Sequence, residues 1–153
     1  MLSDTLTELD LYDNAIGHIN GVEKLTKLTS LDLSFNGIKH IKRLEPLKDL
    51  LQNLYFVQNR ISRIEGLNGF SRLTNLELGA NRIREIEGLE SLVSLEQLWL
   101  GKNKITELKV CSCTSRTGWD GSADAGRISE PSPNSRSYRS NPTDSRRSKP
   151  SKT

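Results

Sequence analysis

Residues 73–92 read LTNLELGANRIREIEGLESL, and this stretch decides the fold because its apolar frame recurs throughout residues 1–108. The unit is L-x-x-L-x-L-x-x-N-x-I-x-x-I-x-x-L-x-x-L, and it occurs five times, the fifth time incompletely. Its asparagines are Asn14, Asn36, Asn59, Asn81 and Asn103, at intervals of 22, 23, 22 and 22 residues. A period of this length predicts stacked structural units and not a single globular core.

Each unit predicts a short strand followed by a tight turn. The L-x-L segment has period two, so both leucines point to one side of a strand. The later Ile and Leu positions return at intervals of three, which suits a helical or 3₁₀ segment on the opposite side. We expect the asparagines to be structural, because a buried amide can satisfy backbone groups where the chain leaves the strand.

Two irregularities of the frame carry further predictions. Gly21, Gly66 and Gly88 follow their asparagines by seven residues, where a turn can require positive φ, although Arg43 holds this place in the second unit. The one 23-residue interval has its extra residue in Pro46–Leu51. We expect it to be absorbed in the turn, leaving the next strand in register.

The composition divides the chain into a repeat domain, 1–108, and a tail, 109–153. Residues 1–108 carry 13 Lys and Arg against 15 Asp and Glu, whereas residues 109–153 carry 9 against 4. The tail also holds eleven serines, four of the five prolines and few large aliphatic residues. Such a segment cannot bury enough apolar area to offset its ordering entropy, so we expect a disordered basic tail.

One column of strand residues is the candidate binding site. The residues between the two strand leucines do not face the core, and they combine carboxylates with exposed aromatic rings, as interface hot spots do. In chain order they are Asp10, Asp32, Tyr55, Glu77 and Trp99. With strands about 5 Å apart the column spans roughly 20 Å, which suits a protein partner better than a metabolite. Ordinary solvated strand residues are the alternative interpretation.

The frame resembles the leucine-rich repeat family, with its L-x-x-L-x-L-x-x-N/C-x-L signature, and this implies an open, curved α/β solenoid with a parallel sheet on its concave face. Within that family, Ile-Glu-Gly-Leu at 64–67 and 86–89 and LWLGKNKI at 98–105 are similar to the leucine-rich regulatory subunit of protein phosphatase 1. The resemblance covers about residues 2–108 and only part of that family's longer array. It implies that Asp32, Tyr55, Glu77 and Trp99 contact the phosphatase catalytic subunit.

The remaining predictions concern location and chemistry. The 22-residue period, two cysteines only (Cys111 and Cys113) and no signal peptide favour a reducing compartment, in nucleus and cytoplasm. We expect no enzyme activity, metal, cofactor, small-molecule substrate, membrane or nucleic-acid partner. The incomplete fifth unit suggests truncation or retained intron sequence, with marginal stability or self-association. Two alternatives stay open: another intracellular adaptor, cytoskeletal or spliceosomal, and a truncated product without a competent partner surface.

Overall fold

The fold is a solenoid built on one sheet. The computed structural model describes residues 5–106 and the backbone of residues 127–129. Six three-residue strands follow one another in chain order across the sheet. They are β1 (Glu8–Asp10), β2 (Ser30–Asp32), β3 (Asn53–Tyr55), β4 (Asn75–Glu77), β5 (Gln97–Trp99) and β6 (Arg127–Ser129). The first five pair in parallel and β6 pairs antiparallel with β5.

The strands form where the sequence predicts them. The middle residues of β2, β3 and β4 are leucines with no exposed surface, and they are flanked by half-buried residues. Main-chain bonds then continue beyond each strand, as when the N–H of Leu33 donates to the carbonyl of Tyr55 at 2.9 Å. The predicted parallel-strand solenoid with a spacing near 22 residues is confirmed.

The return segments on the convex side are tight turns. Their bonds run from an N–H to the carbonyl three residues earlier, for example Leu25 to Val22 and Leu28 to Leu25 at 3.1 and 3.2 Å. Three residues, Glu45–Leu47, form a 3₁₀ helix with proline in its first turn. These short turns suit the three-residue spacing of the apolar positions, because residues i and i+3 eclipse in 3₁₀ geometry.

The extra residue of the 23-residue interval lies in this turn, as expected. The N–H groups of Leu50 and Leu51 both donate to the carbonyl of Leu47 at 3.0 Å, so one residue more is wound into the segment. The strand that follows stays in register, with Leu31 opposite Leu54.

A single apolar core runs along the array between the sheet and the convex turns. Its members come from the Leu, Ile and Phe positions of the repeated frame, and most have less than 2% of their surface exposed. Its two large aromatic members are Phe56 and Phe70, both fully buried. Each repeat buries its apolar side against the next, and the core is therefore continuous although each unit is only 22 or 23 residues long.

Two backbone positions of the frame are left-handed. The first is the glycine position, where Gly21, Gly66 and Gly88 have φ between 70° and 81° and Arg43 has φ of 65°. A Cβ on Gly66 would lie 2.0 Å from the carbonyl oxygen of Ile41, whereas a Cβ on Gly21 would meet nothing within 4 Å. Space therefore requires glycine at Gly66, whereas at Gly21 the left-handed backbone favours glycine without requiring it, as Arg43 shows.

The second left-handed position directly precedes each asparagine and carries no glycine. The five residues there have φ between 53° and 57°; they are Asp13, Phe35, Gln58, Ala80 and Lys102. Four of them, Asp13 to Ala80, donate their N–H to a carbonyl of the following repeat, at 2.7 to 3.1 Å. These bonds offset the strain that a side chain brings to this region of φ.

The predicted tail lies outside the described residues, apart from Arg127–Ser129. Those three residues form β6, whose backbone is the outermost strand of the sheet in the described part of the chain.

Candidate functional site

The five column residues lie side by side across the sheet. The strand register pairs Asp10 with Asp32, Asp32 with Tyr55, Tyr55 with Glu77, and Glu77 with Trp99. Asp10 is exposed and the other four are half-buried. Because they alternate with the buried leucines, all five are on the concave face, the face of the sheet that points away from the core. The geometry therefore brings together every residue that the sequence placed in the column.

Two of the column carboxylates have a structural task. Asp10 Oδ1 accepts the N–H of Tyr12 at 2.8 Å, and Asp32 Oδ1 accepts the N–H of Ser34 at 2.7 Å. The N–H of Ser34 points to the side of the preceding repeat, and the N–H of Tyr12, in the first repeat, lies on the outer side of the sheet edge. An aspartate two residues earlier satisfies them locally, in the manner of an Asx turn.

The third repeat solves the same problem differently because Tyr55 has no carboxylate. Here the N–H of Val57 donates to Ser34 Oγ of the preceding repeat at 3.1 Å. Ser34 is only 3% exposed, and this hydrogen bond explains why a buried position carries a serine. Where the column carries the aromatic Tyr55, the preceding repeat therefore supplies a serine.

The centre of the column retains unused hydrogen-bonding capacity. Asn75 Nδ2 donates to the hydroxyl oxygen of Tyr55 at 3.3 Å, which leaves the Tyr55 proton available to an acceptor on a partner. Glu77, one strand along, makes no side-chain hydrogen bond or ion pair within residues 5–106. A phenol donor and a carboxylate acceptor therefore lie on adjacent strands, facing away from the core.

An aromatic pair extends the concave face at its first two repeats. The rings of Tyr12 and Phe35 have centroids 4.7 Å apart and planes inclined by 45°, and Tyr12 is 48% exposed. The sequence pattern does not indicate this pair, since the two residues occupy different positions of the frame. The left-handed backbone at Phe35 gives its side chain a direction that the pattern alone does not reveal.

The asparagines join each repeat to the one before it. Asn59 is typical: its Oδ1 accepts the N–H of Ile38 at 3.0 Å, and its Nδ2 donates to the carbonyl of Leu33 at 2.9 Å and that of Phe56 at 3.3 Å. Asn36, Asn81 and Asn103 repeat this arrangement. Asn14 donates only to carbonyls of its own repeat. The hydrogen bonds of this row of amides therefore hold successive repeats together.

Charged pairs bridge the repeats away from the concave face. Arg63 Nε donates to Glu87 Oε1 at 2.9 Å, and this hydrogen bond and the charge of Glu87 raise the pKa of Arg63. His40 Nδ1 lies 2.8 Å from Glu65 Oε1. Both pairs are largely exposed to solvent, and such pairs contribute little to stability.

The described clefts of the protein lie away from the column. Three open clefts of about 390–440 Å³ are lined by residues of the asparagine-to-strand segments and not by the column. Residues 5–106 contain no group of three His, Cys, Asp or Glu side chains close enough to bind a metal ion. Cys111 and Cys113 lie outside the described residues. No helix within residues 5–106 has the length and apolar character to cross a membrane.

Comparison with known families agrees with this geometry. A model described as "Leucine Rich repeats (2 copies)" matches residues 49–91 and again 71–111, and a second, "Leucine Rich repeat", matches residues 24–39. The chain belongs to the leucine-rich repeat family. Both models describe such repeats in general, and they do not separate a phosphatase regulator from other members. No curated protein matches the chain.

Two solved structures share the fold. The functional domain of InlJ from Listeria monocytogenes, described as including a cysteine ladder, is 34% identical over 71% of this chain, with a TM-score of 0.59. The internalin inlF from the same organism is 24% identical over 69% of this chain, with a TM-score of 0.53, and shows the fold alone. The chain spans 23% of the first structure and 37% of the second.

Proposed function

We propose that this leucine-rich repeat protein is a non-catalytic interaction module that holds the catalytic subunit of protein phosphatase 1 on its concave face, in the nucleus and cytoplasm. The proposal rests chiefly on the in-register column that runs from Asp10 to Trp99. The resemblance of the repeats to the phosphatase regulatory subunit supplies the named partner. Other intracellular adaptors share the fold, so the partner and the binding surface need separate tests.

The column suits a folded protein partner because it is rigid and chemically mixed. Strands β2 to β5 are held on both sides by main-chain bonds and β1 is held on one side, so the side chains lose little further backbone entropy on binding. Tyr55 and Trp99 offer large rings from fixed strands, and rings of this kind dominate interface energetics. Glu77 lies between them.

The charge of the face favours a basic partner surface. Glu8, Asp10 and Asp13 lie in the first repeat, and Asp32 follows in register. Carboxylates arranged in this way speed the encounter with a positively charged surface and select its orientation. We therefore expect the association rate to fall as salt is added, since exposed charges are screened.

The test is direct binding of the full chain to purified phosphatase catalytic subunit, measured by calorimetry. We expect Tyr55→Ala and Trp99→Ala each to weaken binding by about 30-fold or more, the effect of a 2 kcal/mol hot spot. Val93→Ala is the matched control, because Val93 is an apolar side chain, 60% exposed, in the turn before β5 and outside the column. Equal losses in all three variants would contradict a concave binding site.

The aspartates need a different substitution, because Asp32 also accepts a main-chain N–H. Asp32→Asn keeps that acceptor and removes the charge, so it isolates the electrostatic contribution. We expect Asp32→Asn and Glu77→Gln to lower the association rate with unchanged circular dichroism. An intact, folded chain that does not bind the catalytic subunit would remove the phosphatase from the proposal. The two alternatives, another adaptor and a truncated product without a partner surface, would then remain.

A further inference from the structure

The outer edge of β5 carries main-chain groups that the parallel array itself does not pair. Along each strand, alternate residues direct their N–H and C=O groups to opposite neighbours. The N–H of Leu33 donates forward to Tyr55, and that of Leu78 donates forward to the carbonyl of Trp99. Gln97 donates backward to Thr74. In β5, therefore, the main-chain N–H and C=O groups of Gln97 and Trp99 point toward β4, and those of Leu98 point outward.

The backbone of residues 127–129 occupies this edge. β6 pairs antiparallel with β5, with Leu98 opposite Ile128, Gln97 opposite Ser129 and Trp99 opposite Arg127. Since the groups of Leu98 face β6, Leu98 and Ile128 form the hydrogen-bonded pair of the antiparallel ladder. The N–H groups of Arg127 and Ser129 then point away from β5.

The two edges of the sheet differ in how they resist strand addition. At β1, Glu8 and Asp10 flank the middle leucine, and charged residues on an edge discourage pairing with another chain. At β5 the corresponding residues are Gln97 and Trp99, which are uncharged. The β5 edge lacks this protection, and it is the edge on which a further strand lies.

We propose that residues 127–129, paired along the outer edge of β5, act as a cap that prevents this edge from pairing with a second copy of the chain. The edge accepts an antiparallel strand. Two identical β5 edges paired antiparallel are related by a two-fold axis, so the product is a closed dimer and not a fibre. This proposal does not depend on the concave partner.

The test uses the full chain with a proline at either of two adjacent positions. Ile128→Pro removes the N–H that faces Leu98, whereas Ser129→Pro removes an N–H that points away, which an outermost strand tolerates. Amide hydrogen exchange is measured by NMR at low protein concentration, and sedimentation velocity over increasing concentration. The amide of Leu76, in the central strand β4, reports whether the fold is intact.

We expect Ile128→Pro to speed exchange at Leu98 at least tenfold, to leave Leu76 protected, and to form dimers as concentration rises. Ser129→Pro should behave as the unchanged chain. Unaltered exchange at Leu98 in Ile128→Pro would remove residues 127–129 as the occupant. Faster exchange in a chain that stays monomeric at every concentration would overturn the docking of a second copy.

A cross-link tests the same contact should Ile128→Pro also expose Leu76. Gln97 and Ser129 are a directly opposed pair that is not hydrogen-bonded, and such pairs lie within the span of a disulfide. With Cys111 and Cys113 replaced by serine, Gln97→Cys with Ser129→Cys should form an intramolecular disulfide and a chain that is monomeric at all concentrations. Failure of this pair to cross-link within one chain, in a folded protein, would refute the cap.

Discussion

Substituting Asn59 by alanine should destabilise the protein far more than the same substitution at Asn14. Asn59 is 7% exposed and bonds to both its own repeat and the preceding one. When the Asn59 amide is removed, the carbonyl of Leu33 still accepts a hydrogen bond from Asn36 at 3.2 Å. The N–H of Ile38, in contrast, loses its acceptor. Ile38 is fully buried, so no water replaces the amide.

The magnitude follows from these contacts. A buried donor left unpaired costs about 1–3 kcal/mol, and the lost hydrogen bonds add roughly 1 kcal/mol, so we expect a loss of about 2–4 kcal/mol. Asn14 is exposed and serves no preceding repeat, and its substitution should cost less than about 1 kcal/mol. For a domain of this size the difference corresponds to roughly 5–20 °C in Tm.

The measurement is thermal and urea unfolding of the full chain, followed by circular dichroism. Asn103→Ala is the control for position in the array. Asn103 lies in the last described repeat but still accepts the N–H of Ile83 at 3.0 Å. Asn103→Ala should therefore lower the free energy of unfolding more than Asn14→Ala does. If the substitutions at Asn14 and Asn59 differ by less than about 0.5 kcal/mol, the bond between repeats is not what the amide contributes.

Three further substitutions test the packing of the array by the same unfolding experiments. Gly66→Ala should lower the free energy of unfolding by about 2–4 kcal/mol, through strain and a clash with the carbonyl of Ile41, and Gly21→Ala by about 1 kcal/mol, through strain alone; similar values would show that space at Gly66 is not limiting. Phe56→Ala should cost about 3–5 kcal/mol because the ring is fully buried, and a loss near 1 kcal/mol would mean that the core closes over the gap. Arg63→Ala should leave the Tm unchanged, because Arg63 and its partner are exposed; a clear decrease would show that the pair couples the repeats.

The regular parts of the fold could be predicted from the sequence because they follow from side-chain spacing. Leu31, Leu54 and Leu76 recur with a fixed period, and burying them requires strands in register and a continuous core. The extra residue before Leu51 could be located in the same way, because the spacing departs from the frame at that point only. The alignment of the column follows directly from this register.

The left-handed residue before each asparagine could not be predicted. Phe35, Gln58 and Lys102 are not residue types that indicate positive φ, and the conformation is imposed by the bonds that their N–H groups or neighbours make between repeats. The direction of the Phe35 ring, and its contact with Tyr12, depend on that backbone.

The local role of Asp10 and Asp32 was likewise hidden. A carboxylate in a strand is consistent with a partner contact, and only the folded structure shows that it accepts the main-chain N–H two residues later. This role of the aspartate also shows what is needed where the column changes from Asp32 in β2 to Tyr55 in β3, namely another oxygen to accept the N–H of Val57. Ser34 supplies the oxygen that Tyr55 lacks.

The direction of the asparagine bonds has a consequence for biosynthesis. The N–H of Ile16 is satisfied by Asn36 and that of Ile38 by Asn59, 20 and 21 residues further along the chain. Each repeat that emerges from the ribosome therefore has a main-chain N–H without its asparagine acceptor until the next repeat has emerged. We expect protease resistance of nascent chains to appear in steps, each delayed by one repeat length.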